Sequence, residues 1–485
     1  LTGIVSPAKG YLPVHRKSKF AIRKSNMPYS RRHFLKTSGA VALGFAGFQT
    51  LIGCSGGKVL PSPPDSYGPL LTDPVGILDL PNGFSYQIIS RAGDTMDDGF
   101  VVPGLPDGMA TFEGPDDLTL IVRNHEVNAN APDTLGAFGP GHRLLAQLDP
   151  GSLYDAGSNG QPCLGGTTTL VYDTEAQQLV SQHLSLAGTL RNCAGGPTPW
   201  GSWITCEETV QRADARCAHD HGYPFEVPAS AEPGLAAPVP LKAMGRFNHE
   251  AVAVDPNSGI VYQTEDAHDG LLYRFIPNTP EQLADGGRLQ ALALIDQPSL
   301  DTRNWDDQTI VPGMELVVDW IDLDDIEAPE NDLRLRGFAD GAARFARGEG
   351  MWYGNDAVYF ACTNGGRAKK GQIWRYVPSP DEGTSEESEN PGRLSLFIEP
   401  NNGALVDNAD NLTVAPWGDL IVCEDGGGEQ NLVRVTPEGE ISRFGHNAVS
   451  NSEFAGATFS PDGSTLFVNI QGNGLTLAIT GPWEG

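Results

Sequence analysis

Acidic residues are missing from the first 64 positions of this 485-residue chain, and from Asp65 onward they dominate it. Basic residues show the opposite bias. Ten of the 32 Lys and Arg fall between Lys9 and Lys58, and from residue 54 on only 23 of them face 61 Asp and Glu. A formal net charge of −29 excludes a chain that grips nucleic acid, or an anionic membrane surface, by electrostatics. No C-x-x-C pair occurs among the seven cysteines, which argues against a zinc ribbon or a thioredoxin-type site. A Walker A loop, a G-x-S-x-G elbow and an H-E-x-x-H helix are also absent, so the common hydrolase templates find no support. Glycine and proline, by contrast, are abundant. The 59 Gly and 37 Pro exceed the roughly 12% expected of an average chain, and 39% hydrophobic content suffices for a large core. That much turn chemistry speaks against a helical bundle and for many short strands.

The basic N-terminal stretch reads as an address. Ser30-Arg31-Arg32-His33-Phe34-Leu35-Lys36 precedes the moderately apolar run 37–48, which is too short to span a bilayer comfortably. The paired arginines resemble a twin-arginine (Tat) export signal. Leu51-Ile52-Gly53-Cys54 resembles a bacterial lipobox, with Cys54 as the acylated residue; cleavage without lipidation is the alternative. Residues 1–26 hold no Met, and Met27 stands just before the motif, so 1–26 is read as a non-native extension. The expected organisation is 27–54 signal and lipobox, 55–75 tether, and 76–485 folded domain.

Of the other cysteines, Cys163 and Cys217 lie in polar, loop-like sequence and are disulfide candidates. Cys206, Cys362 and Cys423 each end an apolar run and are expected as small buried hydrophobes. Pro224 to Pro240 and the acidic Ser379 to Gly392 read as solvated surface insertions.

Apolar segments of strand period recur down the chain: Leu118–Val122, Trp203–Cys206, Gly259–Thr264, Ala357–Cys362, Asp419–Cys423 and Thr465–Ile470. Turn signatures such as Asp255-Pro256-Asn257-Ser258-Gly259 precede several of them. A second strand ending in Pro follows others, as in Leu272–Pro277, Ile373–Pro378 and Leu432–Pro437. The unit is strand, tight turn, strand, loop, strand, which predicts the blades of an all-β propeller. Inside the unit, polar residues keep a fixed separation. Cys193 precedes Glu207 by 14 residues, Glu250 precedes Glu265 by 15, Glu349 precedes Thr363 by 14, Asp410 precedes Glu424 by 14, and Glu453 precedes Asn469 by 16. Each pair brackets one hairpin. Six hairpins, counting His125-Glu126 as the first, aim these residues at one mouth of a central channel. Carboxylates so crowded repel and take up protons unless cations lie among them. The pattern therefore predicts a metal cluster, with an acidic channel mouth as the alternative.

Several strings carry a family resemblance. They are Pro106-Asp107-Gly108-Met109, Asn124-His125-Glu126, Asn192-Cys193-Ala194-Gly195-Gly196-Pro197, Thr205-Cys206-Glu207-Glu208, Gly245-Arg246-Phe247-Asn248-His249-Glu250, Thr264-Glu265-Asp266, Arg347-Gly348-Glu349-Gly350, Cys423-Glu424-Asp425-Gly426 and Glu453-Phe454-Ala455-Gly456. From about residue 80 to the C-terminus the chain resembles the PhoX family of secreted alkaline phosphatases and its wider group of PhoX-like proteins. The resemblance implies a six-bladed β-propeller whose channel holds ferric iron (Fe3+) and calcium (Ca2+) bridged by an oxo group. On that analogy Cys193, Glu208 and Glu250 hold iron. Glu126, Asp266, Glu349, Asp410, Glu424 and Glu453 are calcium or shared ligands, and the hairpin spacing adds Glu207 and Glu265. Thiolate with carboxylate suits two kinds of metal better than one. Where phosphatases of the family carry Arg-Pro-Glu, this chain has Arg347-Gly348-Glu349, so Arg347 keeps its place as oxyanion partner without the rigid proline.

The expected function is metal-dependent hydrolysis of phosphate monoesters outside the cytoplasm, by a periplasmic or cell-surface lipoprotein. The expected partners are a small phosphorylated substrate and, during export, the Tat translocase. The membrane is met only through a lipid anchor, and the chain is expected to be a monomer. Two alternatives remain: a calcium-dependent lactonase using His125 and His249, and a non-catalytic calcium-binding propeller module.

Overall fold

Each apolar segment read from the sequence is a strand: Thr119–His125, Ser202–Glu207, Val261–Glu265, Ala357–Cys362, Leu420–Glu424 and Thr465–Ile470. All six are buried on both faces, which requires sheets packed face to face. Their turns form as the side-chain chemistry dictates. In Asp255–Gly259 the Asp255 carboxylate accepts the Asn257 N–H (3.0 Å) and the Ser258 hydroxyl (2.6 Å), while Gly259 supplies φ 71°.

The computed structural model describes residues 67–149 and 151–483. The Tat motif, Cys54 and the 1–26 segment lie outside the described residues. Among the described residues the fold is all-β, with one short α-helix at Leu333–Ala339 and a few single 3-10 turns. Five antiparallel sheets make a propeller-like arrangement. One is a four-stranded meander (Pro106–Glu113, Thr119–His125, Gly165–Asp173, Gln178–Thr189), and another is three-stranded (Asn192–Pro197, Ser202–Glu207, Pro224–Pro228). The widest joins the meander His249–Leu294 to the meander Gly348–Ile398 through the shared strand Glu315–Asp322. In the sheet nearest the C-terminus, Leu475–Thr480 pairs with Ser85–Arg91, so distant ends of the chain close one sheet.

The first strands of the successive meanders touch one another in a ring. Pro106–Glu113 meets Asn192–Pro197, then His249–Val254, Gly348–Gly354, Ala409–Val414 and Phe454–Phe459 follow, and the last returns to Pro106–Glu113. Small residues allow this closeness. A Cβ on Gly108 would lie 2.8 Å from the Cys193 carbonyl oxygen, and one on Gly350 would lie 2.7 Å from the Asp410 carbonyl oxygen. Between the sheets sit aromatic layers such as Phe345, Phe360 and Trp374, all fully buried. Truncating such a ring to Ala costs about 3–5 kcal/mol.

Four expectations need correction. The folded unit starts ahead of residue 76, because Leu70–Leu71 pairs with Leu80 and Pro81 and Tyr67 stacks edge-on against Phe84. Pro224–Pro228 is no solvated insertion: it pairs with Ser202–Glu207 and buries Phe225 and Val227, with the prolines at its two ends. Nor is Ser379 to Gly392 mere decoration. Glu382 accepts the hydroxyls of Tyr262 (3.0 Å) and Tyr376 (2.8 Å) and pairs with Arg274 (2.7 Å), and Glu387 holds the same guanidinium. Cys163 and Cys217 are free thiols whose sulfurs stand 3.9 Å apart, well beyond a disulfide bond. Cys206, Cys362 and Cys423 are buried within apolar clusters, as expected.

Candidate metal centre

Five of the ring strands are built alike at their entrance. Their second residues are Asp107, Cys193, Glu250, Glu349 and Asp410, and all five line one cavity of about 90 Å³. A β-bulge follows each: the register shifts between Pro106 and Met109, Asn192 and Gly195, His249 and Val252, Gly348 and Met351, and Ala409 and Leu412. The extra residue turns the polar side chain toward the channel instead of the core. In the last meander Glu453, one residue ahead of Phe454–Phe459, reaches the same cavity.

The second strands add a matching set. Four of the six end at His125, Glu207, Glu265 and Glu424, and in each of these the next residue is acidic: Glu126, Glu208, Asp266 and Asp425; the other two, ending at Cys362 and Ile470, are followed by Thr363 and Gln471. Successive side chains on extended backbone point oppositely, so only one of each pair faces in. It is the second. Glu126, Glu208 and Asp425 line the cavity, and Asp266 grips Arg347 at its edge. The strand-terminal residues do structural work. Glu207 accepts the N–H groups of Leu190 (2.9 Å) and Gly222 (2.9 Å) and meets His221 Nδ1 at 2.6 Å. Glu265 accepts the Tyr273 hydroxyl (2.6 Å), and Glu424 accepts the Asp407 N–H (2.8 Å) and the Asn431 amide (2.7 Å). Glu207, Glu265 and Glu424 therefore lie outside the cavity, so the placement of Glu207 and Glu265 among the ligands by spacing, and of Glu424 by resemblance, does not match its lining.

Eight carboxylates, one thiol, one amide and two guanidiniums make up the lining. Three groups bring potential ligand atoms within 4.8 Å of one another: Cys193, Glu208 and Glu250; Glu250, Glu349 and Asp410; Asp410, Asp425 and Glu453. Cys193 Sγ lies 2.9 Å from Glu250 Oε2. Burial pushes the acids of Asp107, Glu208, Glu250, Glu349 and Glu453 well above the carboxylate range, and their mutual repulsion adds to it. Asp410 is pushed up to about 7 by burial and by Asp425, and Cys193 is raised by burial and Glu250. Carboxylates crowded in this way favour their protonated forms unless cations lie among them. The donor set fits metal ions, since oxygen-rich groups sharing acids suit hard cations and the lone thiol beside two of those acids suits a softer one.

Two arginines guard the mouth, each with about a third of its side chain exposed. Arg347 holds Asp266 in a two-pronged grip (Nε–Oδ1 2.7 Å, Nη2–Oδ2 2.8 Å) and reaches Glu349 at 2.9 Å. Arg191 contacts Glu126 (2.7 Å) and Glu208. Burial works against both charges, but the neighbouring carboxylates outweigh it and raise both pKa values. Sequence reasoning named Arg347 and missed Arg191, Asp107, Asp425 and Gln471. Gln471 donates to Asp107 (2.7 Å) and Glu126 (2.9 Å).

His125 and His249 face away from the cavity. The first binds the Gly104 carbonyl (3.0 Å) and Thr168 (2.9 Å); the second binds the Gly245 carbonyl (3.0 Å) and stacks on Phe247. Neither can act on a substrate in the channel, which removes the residues a lactonase reading would use. Larger surface hollows of 700 and 760 Å³ lie at strand turns away from this cluster.

A family model described as alkaline phosphatase PhoX matches residues 65–474. Among solved structures, Pseudomonas fluorescens PhoX in complex with vanadate, a transition state analogue, is similar in fold. It has TM-score 0.61 at 18% identity, covering 87% of this chain and 98% of that one. A gluconolactonase from Xanthomonas campestris matches at TM-score 0.36 and 12% identity over 87% of this chain and 99% of that one, too weakly to bear on either fold or function. The comparison with curated proteins finds no match.

Proposed function

The chain belongs to the alkaline phosphatase PhoX family, and from that premise we propose that it hydrolyses phosphate monoesters at the mouth of the acidic cavity. The observation that carries the reading is the pairing of a cation-demanding carboxylate cluster with two partly exposed guanidiniums at its rim. A cavity of about 90 Å³ has room for about three water-sized occupants, so an ester must sit over it with only its phosphoryl group inserted.

Iron at Cys193, Glu208 and Glu250, and calcium at Glu126, Glu349, Asp410 and Glu453, fit the donor types, with Asp107 and Asp425 as further oxygen donors. Asp266, held by Arg347 at the edge, is the calcium candidate outside the lining. Bound there, such cations would supply positive charge to offset that of the phosphoryl oxygens. The chain's own residues do the rest. Arg191 and Arg347 each keep Nη1 without a protein partner among the described residues, free to donate to phosphoryl oxygens. Glu126, Glu208, Asp266 and Glu349 fix those side chains, so the donors are oriented before substrate arrives.

The ring of first strands supports six blades. Export by the Tat route, attachment through Cys54 and a monomeric state complete the proposal, consistent with a folded domain that carries its metals across the membrane. The test is hydrolysis of an aryl phosphate at alkaline pH with added calcium. Turnover is expected, and a fully metallated protein without turnover would remove the phosphatase reading.

A further inference from the structure

A second cluster of ligating side chains lies outside the central cavity. Asp155 and Cys163 come from the long connection between Thr119–His125 and Gly165–Asp173. Cys217 and His221 come from the connection between Ser202–Glu207 and Pro224–Pro228. All four residues are buried, and one ligand atom from each lies within 4.8 Å of the others. The edges of the group are 3.9 Å between the two sulfurs, 3.9 Å from Cys163 Sγ to His221 Nε2, and 3.2 Å from His221 Nε2 to Asp155 Oδ2. A tetrahedron with metal–sulfur bonds of about 2.3 Å and metal–nitrogen or –oxygen bonds of about 2.0–2.2 Å has edges of about 3.8, 3.6 and 3.4 Å in the same order. We propose that Asp155, Cys163, Cys217 and His221 form a closed, four-ligand structural zinc site that clasps these two connections together.

The surroundings are those of a built metal site. Glu207 Oε1 lies 2.6 Å from His221 Nδ1, which leaves Nε2 as the ligating nitrogen, and Glu207 is itself held by backbone N–H groups of Leu190, Gly222 and Tyr223. A carboxylate behind a ligating imidazole fixes its ring orientation and strengthens it as a ligand. Asp155 is oriented by the N–H groups of Gly157 (2.6 Å) and His219 (3.0 Å). Two thiols, an imidazole and a carboxylate suit zinc, and burial leaves no open position for a substrate. The connections have little regular secondary structure, and beyond direct backbone contacts such as Ser158 N–H to Arg216 carbonyl (2.7 Å) the metal would supply the cross-link that a disulfide supplies elsewhere. This inference is independent of phosphate hydrolysis at the cavity.

The test is elemental analysis and zinc-edge X-ray absorption on the full chain purified without chelator. About one zinc per chain is expected, with two sulfur ligands at about 2.3 Å. Cys163→Ser should lower zinc at least about tenfold, and Glu207→Gln should weaken zinc affinity by about 10-fold or more, while Cys193→Ser leaves zinc unchanged. The absorption measurement needs no variant, so it stands even where Cys163→Ser fails to fold. A Cys163–Cys217 disulfide in peptide mapping, zinc bound without sulfur, another metal on these two sulfurs, or free thiols without metal would each overturn the proposal.

Discussion

Arg191 and Arg347 occupy the same position in two different meanders. Each immediately precedes a ring strand, and each has positive φ, 46° and 52°. Non-glycine residues adopt that conformation at a cost of about 1–3 kcal/mol, tolerated where the surrounding structure holds it. Here it lifts both guanidiniums to the mouth of the cavity while the second residue after each, Cys193 or Glu349, turns inward. Arg191→Ala and Arg347→Ala should each lower turnover of an aryl phosphate by about 10²-fold with metal content intact. Loss at one arginine alone would mean that the two are not equivalent in use.

Cys193 is the cavity's single thiol, 2.9 Å from Glu250. Cys193→Ser should abolish iron binding while far-UV circular dichroism stays that of the wild type. Iron retained at wild-type stoichiometry would contradict the assignment.

The adjacent acids Glu424 and Asp425 separate structure from chemistry. Glu424 secures its loop through Asp407 and Asn431, whereas Asp425 faces the cavity. Glu424→Gln should lower Tm by several degrees and leave calcium binding near wild type. Asp425→Asn should do the reverse, weakening calcium with little change in the Tm of the metal-free form.

That contrast marks how much of the site the sequence could reveal. The 14- to 16-residue spacing identified the hairpins and the common mouth, because strand length and turn length are written locally. It selected Glu207 and Glu265, since spacing cannot tell which of two neighbouring acids turns inward once a bulge shifts the register, and the resemblance chose Glu424 over its neighbour Asp425. The family strings supplied Glu208 and Asp266. Arg191 carried no signal in isolation; its equivalence to Arg347 emerges only when Asn192 and Gly348 are aligned as strand openings. Asp155, Cys163, Cys217 and His221 are scattered over 67 residues, and only the fold brings them together.

Burial pushes Glu265, Asp410 and Glu424 to about 7, above ordinary values of 4.5 and 3.8. A raised carboxyl pKa contributes stability that is complete below the unfolded value and lost as pH rises through the folded one. In excess chelator, Tm should therefore fall as pH rises from about 4 to about 7. The metallated protein should resist that fall, because its carboxylates are ionised and paired with cations. Thermal melts across this range, with and without chelator, check both signs.

Pro106 stands where Gly348 stands in another meander, and Leu105 before it has φ 49°, close to Arg347. The backbone at this position thus accepts a proline, with its Cβ 3.2 Å from Thr264 Cβ, a contact that a small shift of Thr264 relieves. Gly348→Pro should fold with Tm near wild type and raise kcat/KM for an aryl phosphate a few-fold by stiffening the backbone beside Arg347. A fall in kcat/KM with intact folding would show that glycine here serves a different substrate.

The central claim is that cations in the acidic cavity are required for phosphate monoester hydrolysis. Its most direct test is the turnover of an aryl phosphate by one preparation as purified, after removal of metals, and after iron and calcium are restored. The account predicts turnover that is lost on stripping and regained on restoration. Turnover unchanged by stripping would contradict it.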